Sequence, residues 1–317
     1  MLDSLKGKKI LITGATGFIG SNLVHKCVSA QAEVFIFKRE NSDIWRLKKS
    51  IGKITAYDVD LLDFKCVNDM VRLIKPEIIF HTATCGASLG QINSKYIIDT
   101  NFSATVNLVD ACNSVGFEVF VNSGSSSEYG IKHKVMQETD VLKPLTDYGV
   151  SKAAGTLYCQ ALAKRENKSI VTLRLFSPYG YYEDKNRLIP FLILSCLKGV
   201  DPVLSSPNNV RDFVFIEDVL SAYILAVINK DRISGEIINI GAGKQYSIKE
   251  VVAVINEISK KKVSALWGGK DNPRVEPDFW QADIFLAEKL LLWKPKYDLF
   301  SGLKKSLDWF VINQLLY

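Results

Sequence analysis

The sequence predicts an α/β fold, a doubly wound parallel sheet with a smaller C-terminal α/β lobe. Three observations predict it. Short apolar runs, sized for buried strands, alternate with helical-period segments from residue 10 to about residue 175. A glycine-rich turn follows the first run directly and opens a helix. Beyond residue 176 the alternation breaks, and Pro178, Pro190, Pro202, Pro207, Pro273, Pro277 and Pro295 mark a loop-rich region.

Composition sets the outer bounds. The chain has 317 residues, 47% of them hydrophobic, with a net charge of +6. That is an ordinary globular composition. Lysine clusters such as Lys48-Lys49 and Lys260-Lys261-Lys262 read as solvated faces. We expect no nucleic-acid partner, only some attraction of anionic small molecules. Six scattered cysteines and three histidines show no metal-ligand spacing. Neither a disulfide framework nor a metal site is expected, and a reducing, cytoplasmic setting follows. Lys6, Lys8 and Lys9 precede an apolar run cut short at Thr13-Gly14, so this is a first strand and not a signal peptide. The run around Leu188–Leu197 falls short of the ~20 residues of a membrane span.

Taken in order, Ile10-Leu11-Ile12 is the first strand, and Thr13-Gly14-Ala15-Thr16-Gly17-Phe18-Ile19-Gly20 leads into a helix over Ser21–Ala30. Gly14 permits the tight turn, Gly17 lets backbone approach a pyrophosphate, and Gly20 permits close helix packing. Free N–H groups at the helix N-terminus then face the phosphates, so a Rossmann-type dinucleotide site is predicted there. The spacing is G-x-x-G-x-x-G. The second strand, Glu33–Phe37, ends in Lys38-Arg39. An acid at this tip would bind the ribose 2′-hydroxyl; two cations would attract a 2′-phosphate, which favours NADP(H). Glu40 is a displaced acid that keeps NAD(H) open. Ile54–Asp58 is the third strand. Asp60, with Leu61, either meets the adenine or caps the next helix.

Glu77–His81 is the fourth strand, with Thr82, Ala83 and Thr84 small enough to lie against a cofactor. His81 reads as a packed strand-end histidine and Cys85 as an unreactive thiol. A helical pattern begins at Asn101. Glu118–Asn122 is the fifth strand, and Ser123–Gly130 reads as a loop offering hydroxyl donors. Tyr148 opens a helix running to about Arg165. Ser169–Leu175 is the sixth strand. Phe213–Asp218, with the helix to Asn229, is expected to return to the main sheet. We assign residues 1–175 plus about 211–240 to a dinucleotide domain, and about 176–210 plus 241–317 to a substrate lobe.

Tyr148 and Lys152 stand four apart and share one helix face. A phenol titrating near ~10 is a poor base at neutral pH, and a nearby ammonium favours the phenolate. The pair can therefore exchange a proton with a substrate oxygen.

With the glycine turn, Ser125–Gly130, Tyr148–Lys152, Arg174–Gly180, Arg211–Val214, Ala282-Asp283 and Trp293–Pro295, the chain resembles the extended short-chain dehydrogenase/reductase family over nearly its whole length. Within it the likeness is to nucleotide-sugar epimerases, dehydratases and reductases. The resemblance implies Tyr148 as general acid or base, Lys152 as its tuning cation and ribose ligand, and Ser125 as the donor to the reacting oxygen. It implies cofactor contacts from Gly14 to Gly20 and from Lys38, Arg39, Asp60, Leu61, Thr82, Ala83 and Asn101. Substrate contacts would come from Ser125, Ser126, Ser177, Arg187, Arg211 and Arg274, with Arg211 and Arg274 holding phosphates. A homodimer through the helices near Asn101–Cys112 and Tyr148–Arg165 is also implied.

Departures from the family pattern narrow the reaction. Ser126-Ser127 replaces the Asp-Glu pair of 4,6-dehydratases and the cysteine of GDP-fucose synthases. Ser177 replaces an asparagine of many UDP-sugar 4-epimerases, and Glu128 before Tyr129 resembles 4-keto-6-deoxy-sugar reductases. The leading expectation is an NADPH-dependent 4-ketoreductase of a CDP-, GDP- or dTDP-linked 4-keto-6-deoxy sugar, supplying surface polysaccharide. An NAD-dependent nucleotide-sugar 4-epimerase is the alternative, and a non-catalytic NADP-binding protein the third.

Overall fold

A computed structural model describes residues 2–87, 93–259, 263–269 and 277–317. The chain runs β1 (Lys9–Thr13), α1 (Phe18–Ser29), β2 (Glu33–Lys38), β3 (Ile54–Asp58), α2 (Phe64–Ile74), β4 (Ile78–His81), α3 (Ser94–Ile98), α4 (Ala104–Val115), β5 (Val119–Ser125), α5 (Asp147–Glu166) and β6 (Ile170–Leu175). It continues β7 (Ser177–Tyr179), α6 (Leu188–Lys198), β8 (Val203–Leu204), β9 (Val210–Phe215), α7 (Ile216–Ile228), β10 (Ile237–Ile240), β11 (Gln245–Ser247), α8 (Ile248–Ser259), β12 (Leu266–Trp267) and α9 (Leu299–Ile312).

The central sheet is parallel, in the order β10-β6-β5-β4-β1-β2-β3. The fold class is therefore the doubly wound one expected. Both faces of the sheet are covered, and strand pleating divides the core between them. Ile10 and Ile12 pack into one layer with α1 and α7 residues such as Leu23, Val24 and Val219. Leu11, between them, packs into the other with Val67, Leu108 and Cys159 of α2, α4 and α5. The chain leaves β1 toward β3, then crosses back to β4. The C-terminal ends of β1 and β4 thus flank the topological switch point, where such sheets bind ligands.

Two elements differ from the sequence reading. β9 does not join the main sheet: it lies between β7 and β11 in a separate three-stranded sheet, and β10 supplies the seventh main strand. Both are short apolar strands, and only long-range pairing tells them apart. Ser123–Ser125 is strand, not loop, because β5 stays paired with β6 through Ser125–Leu175. Among the described residues no helix is long and apolar enough to cross a membrane.

The glycine turn seats α1 against β1. A Cβ on Gly20 would lie 2.2 Å from the Gly14 carbonyl oxygen. Gly20→Ala should therefore cost about 1–3 kcal/mol of stability in urea unfolding, as overpacking does, and weaken dinucleotide binding. An unchanged midpoint would refute the close packing.

Candidate active site

The glycine turn forms a cradle that only bare backbone can fill. Gly14 has φ +66°, and a Cβ there would meet the Ala83 nitrogen at 2.5 Å. Gly17 N–H donates to the Gly14 carbonyl at 2.9 Å. Gly17 is extended at the N-cap of α1 and offers no side-chain cap, so the first N–H groups of Phe18, Ile19 and Gly20 point outward as an anion site requires. These residues fit a dinucleotide pyrophosphate. Arg46 ties the cradle to the lobe, donating to Thr16 O at 3.3 Å and to Tyr182 O at 2.7 Å.

A cavity of about 570 Å³ opens at the tips of β2 and β3, lined by Arg39, Glu40, Asn41, Asp58, Val59 and Asp60. Here the basic-tip reading needs correction. Lys38 is ion-paired with Asp58, and Arg39 donates to the Tyr96 hydroxyl. Asp60 does not cap α2, a role taken by Asp63, which accepts from Cys66 N–H at 3.0 Å. Asp60 instead accepts Leu62 N–H at 3.0 Å and faces the cavity. Leu61 is pinned through its carbonyl, which accepts from Asn107 at 2.9 Å.

Ser125 ends β5, and Tyr148 and Lys152 lie in the first turns of α5, capped by Thr146 at 3.1 Å from Gly149 N–H. The Ser125 and Thr84 hydroxyls both favour the ionised form of the Tyr148 phenol. Burial pushes that phenol up, against the pull of Ser125 and of the Arg187 charge. Burial pushes the Lys152 ammonium down, and the charge of Glu128 opposes this. Glu128 is 0% exposed, a buried carboxylate behind Ser125. Its carboxylate accepts Ser125 N–H at 2.7 Å and Thr156 O–H at 3.0 Å, and pairs with Arg174 at 2.8 Å. Burial alone would depress the Arg174 guanidinium; Glu128 and Tyr129 together outweigh it and raise it. Arg174 also donates to the Tyr129 hydroxyl at 2.7 Å and stacks 4.4 Å over its ring.

The β4 loop closes the cofactor side. Thr82 donates to Thr13 O at 2.7 Å, leaving Ala83 against the cradle. His81 is buried between Thr13 and Thr105, at 2.6 and 2.9 Å. Burial, with the Lys152 charge, pushes it down to about 3, so it is neutral. Asn101 sits in a wide helical turn, Asp99–Ser103, ahead of α4. Its amide donates to Cys85 O at 2.8 Å and Ser151 Oγ at 2.9 Å, and accepts from Cys85 N–H at 2.8 Å and Thr84 O–H at 3.0 Å. All four of its hydrogen-bonding positions are filled. The Asn101 amide therefore organises this loop.

On the substrate side, Ser126 accepts from Trp280 Nε1 at 3.2 Å, and Arg211 lies 5.6 Å over the same ring. Ser177 pairs with Phe213 where β7 meets β9. Asp212 is not a partner for Arg211's charge in the way sequence adjacency suggests: it is buried, accepting N–H groups of Ala242, Gly243 and Ala282 at 2.5, 3.1 and 3.0 Å. Arg187 donates to Ala87 O at 3.1 Å and lies 3.8 Å from Glu183. Arg274 lies outside the described residues. Trp280 was missed because a lone tryptophan in a loop carries no pattern. Among the described residues no cluster of metal-binding side chains forms.

The buried Glu128–Arg174 pair should be sensitive to loss of one partner. Arg174→Met should cost about 3–5 kcal/mol in denaturant unfolding, because it strands the carboxylate. A Glu128→Leu/Arg174→Met double variant should recover part of that loss. Equal stability of wild type and single variant would refute the pair's role.

A sequence model described as the NAD dependent epimerase/dehydratase family matches residues 10–241. The UDP-glucose 4-epimerase of Erwinia amylovora is 28% identical, over 95% of this chain and 97% of its own. A UDP-glucuronic acid 4-epimerase from Bacillus cereus, solved with UDP-glucuronic acid and NAD, is 27% identical with a TM-score of 0.85, covering 97% of this chain and 99% of that one. MoeE5, solved with UDP-glucose and NAD, is 29% identical with a TM-score of 0.84, covering 96% and 99%. With the glycine cradle at the switch point and Tyr148 and Lys152 beside Ser125, the chain belongs to the NAD dependent epimerase/dehydratase family, within the extended short-chain dehydrogenases/reductases.

Proposed function

We propose that the protein is an NAD-dependent 4-epimerase of a UDP-linked hexose. The observation that carries this reading is the cavity at the β2–β3 tips. Glu40, Asp58 and Asp60 line it with Arg39, whose guanidinium donates to Tyr96, while Lys38 is paired with Asp58. Glu40 and Asp60 there suit ribose hydroxyls, and three carboxylates against two cations leave the site no net attraction for a 2′-phosphate. The NADPH-dependent 4-keto-6-deoxy-sugar reductase expected from the basic tip is withdrawn. The full-length relatives overturn it, being 4-epimerases of UDP-glucose and UDP-glucuronic acid. The Ser177 departure weighs less than that likeness.

A bound nicotinamide would accept hydride from C4 of the sugar and return it to the opposite face. The chain's own residues must then handle one proton. Tyr148 takes it from the C4 hydroxyl as the carbonyl forms and gives it back on re-reduction. Lys152, one turn along α5, favours the phenolate needed for the first step. Ser125 donates to the oxygen as its charge changes. Arg211 and Arg187 are assigned to the diphosphate, and Trp280 with Ser126 to the sugar side. The apolar residues Val150 and Leu157 of α5 and Tyr96 and Ile98 of α3 are exposed. The two on α5 suit the homodimer expected through the helices near Asn101–Cys112 and Tyr148–Arg165.

Incubation with UDP-glucose, or UDP-glucuronic acid, and NAD should yield the C4 epimer by proton NMR with no net cofactor reduction. Tyr148→Phe should lower turnover by ~10²–10⁴-fold, the usual worth of acid–base catalysis, while NAD still binds. Lys38→Ala/Arg39→Ala should keep NAD the preferred cofactor in binding titrations. NADPH consumption on a 4-keto-6-deoxy nucleotide sugar, with no epimer from any UDP-hexose, would overturn the reading.

A further inference from the structure

The loop that leaves β7 is fastened at three successive carbonyls. Tyr181 O accepts from Asn22 Nδ2 of α1 at 2.8 Å, Tyr182 O from Arg46 Nε at 2.7 Å, and Glu183 O from the Tyr317 hydroxyl at 2.8 Å. Two of these donors also hold the glycine cradle. The same Asn22 nitrogen donates to Phe18 O at 2.9 Å, and Arg46 Nη1 donates to Thr16 O at 3.3 Å. A carboxamide nitrogen has two hydrogens and a guanidinium is a rigid planar fork, so each side chain can span two acceptors. Arg46 is itself held. Its guanidinium lies 4.4 Å over the Trp45 ring, and its carbonyl lies 2.9 Å from His25 Nε2. A carbonyl can only accept, so Nε2 carries the hydrogen and His25 Nδ1 accepts the Ser50 hydroxyl at 2.7 Å. Tyr182, between the fastened carbonyls, has φ +64°. A bulky side chain rarely adopts that conformation, and such strain persists where the surroundings over-determine it.

This loop connects the two arginines assigned above to the diphosphate. β7, before it, pairs with β9, which bears Arg211. After it, Arg187 opens α6 and donates to Ala87 O of the β4 loop at 3.1 Å. On the other side of the fastening, Thr16 O and Phe18 O belong to the peptide planes of the cradle. A trans peptide points its C=O and N–H in opposite directions. A donor held on Phe18 O therefore keeps Ile19 N–H turned outward at the start of α1. We propose that Asn22 and Arg46 are positioning residues, a two-point clamp that sets the arginines of the substrate lobe in register with the dinucleotide cradle. Both act through backbone carbonyls and exchange no proton in the reaction. Loosening either should disturb the cofactor's phosphate site and the substrate's phosphate site together, because each side chain has one bond on either side.

The test uses NAD-loaded protein as wild type, Arg46→Met, Arg46→Lys and Asn22→Leu. Exchange of bound NAD for labelled NAD reads the cradle. Calorimetric titration with UDP, GDP and dTDP reads the lobe. Arg46→Met and Asn22→Leu should each speed NAD exchange, and weaken the preferred nucleoside diphosphate, by about tenfold, the worth of one or two hydrogen bonds. Arg46→Lys keeps the charge but loses the fork, so it should behave like Arg46→Met. A merely structural role would lower the number of binding-competent molecules and leave their affinities alone. Unchanged affinities, a change at one site without the other, Arg46→Lys matching wild type, or binding of none of the three nucleotides would each overturn the clamp. The expectation of UDP as the preferred nucleotide rests on the 4-epimerase reading; the clamp does not. If NAD exchange and GDP or dTDP affinity move together and no UDP-hexose is epimerised, the functional reading fails and the clamp stands. If UDP-glucose is epimerised and the variants hold both ligands as wild type does, the reverse holds.

Discussion

The site depends on a carboxylate and a guanidinium buried together, Glu128 and Arg174. Either charge alone would cost several kcal/mol in this interior. Together they are acceptable because every polar atom is used. One Glu128 oxygen holds the Ser125 N–H and the Thr156 hydroxyl; the other meets Arg174. Arg174 passes the network to Tyr129, whose hydroxyl donates to Asn239 of β10 at 2.8 Å. Asn239 then donates to Met136 O at 3.0 Å. Three strands of the main sheet, α5 and the segment pairing Met136 with Ala282 are fixed to one another by this chain of bonds. Ser125 sits at its first link, so the position of the hydroxyl donor is set by groups that never meet a ligand.

A second constraint is electrostatic. The glycine end of the cleft offers backbone N–H groups, the β2–β3 end carboxylates with Arg39 among them, and the α5 end a phenol and a buried ammonium. Low dielectric strengthens each of these fields. It also explains why His81, one strand away, stays neutral: its ring is enclosed by two threonine hydroxyls and faces the Lys152 charge. Protonation there would place a second cation beside the lysine.

Much of the fold was legible because its signals are local. The glycine turn, the apolar strands β1 to β6 and the Tyr148–Lys152 spacing each rest on neighbours within a few residues. What failed rests on distant partners. Lys38 and Arg39 read as free cations, yet their partners lie 20 and 57 positions away. Glu128 had no structural role in the sequence reading, and the partner that gives it one lies 46 positions on. The loop that Asn101 braces, 16 positions back, was equally out of local view. β9 looked like a main-sheet strand because periodicity reports burial and says nothing about which sheet provides it.

The sequence by itself determined the doubly wound sheet, the dinucleotide cradle and the set of hydroxyl, phenol and ammonium groups, since each follows from residue type at short spacing. Tertiary structure decided the cofactor's ribose environment and the fate of every buried charge. Those depend on which groups meet across the fold. A charge becomes ligand, counter-ion or buried strut only when its partner is fixed in space.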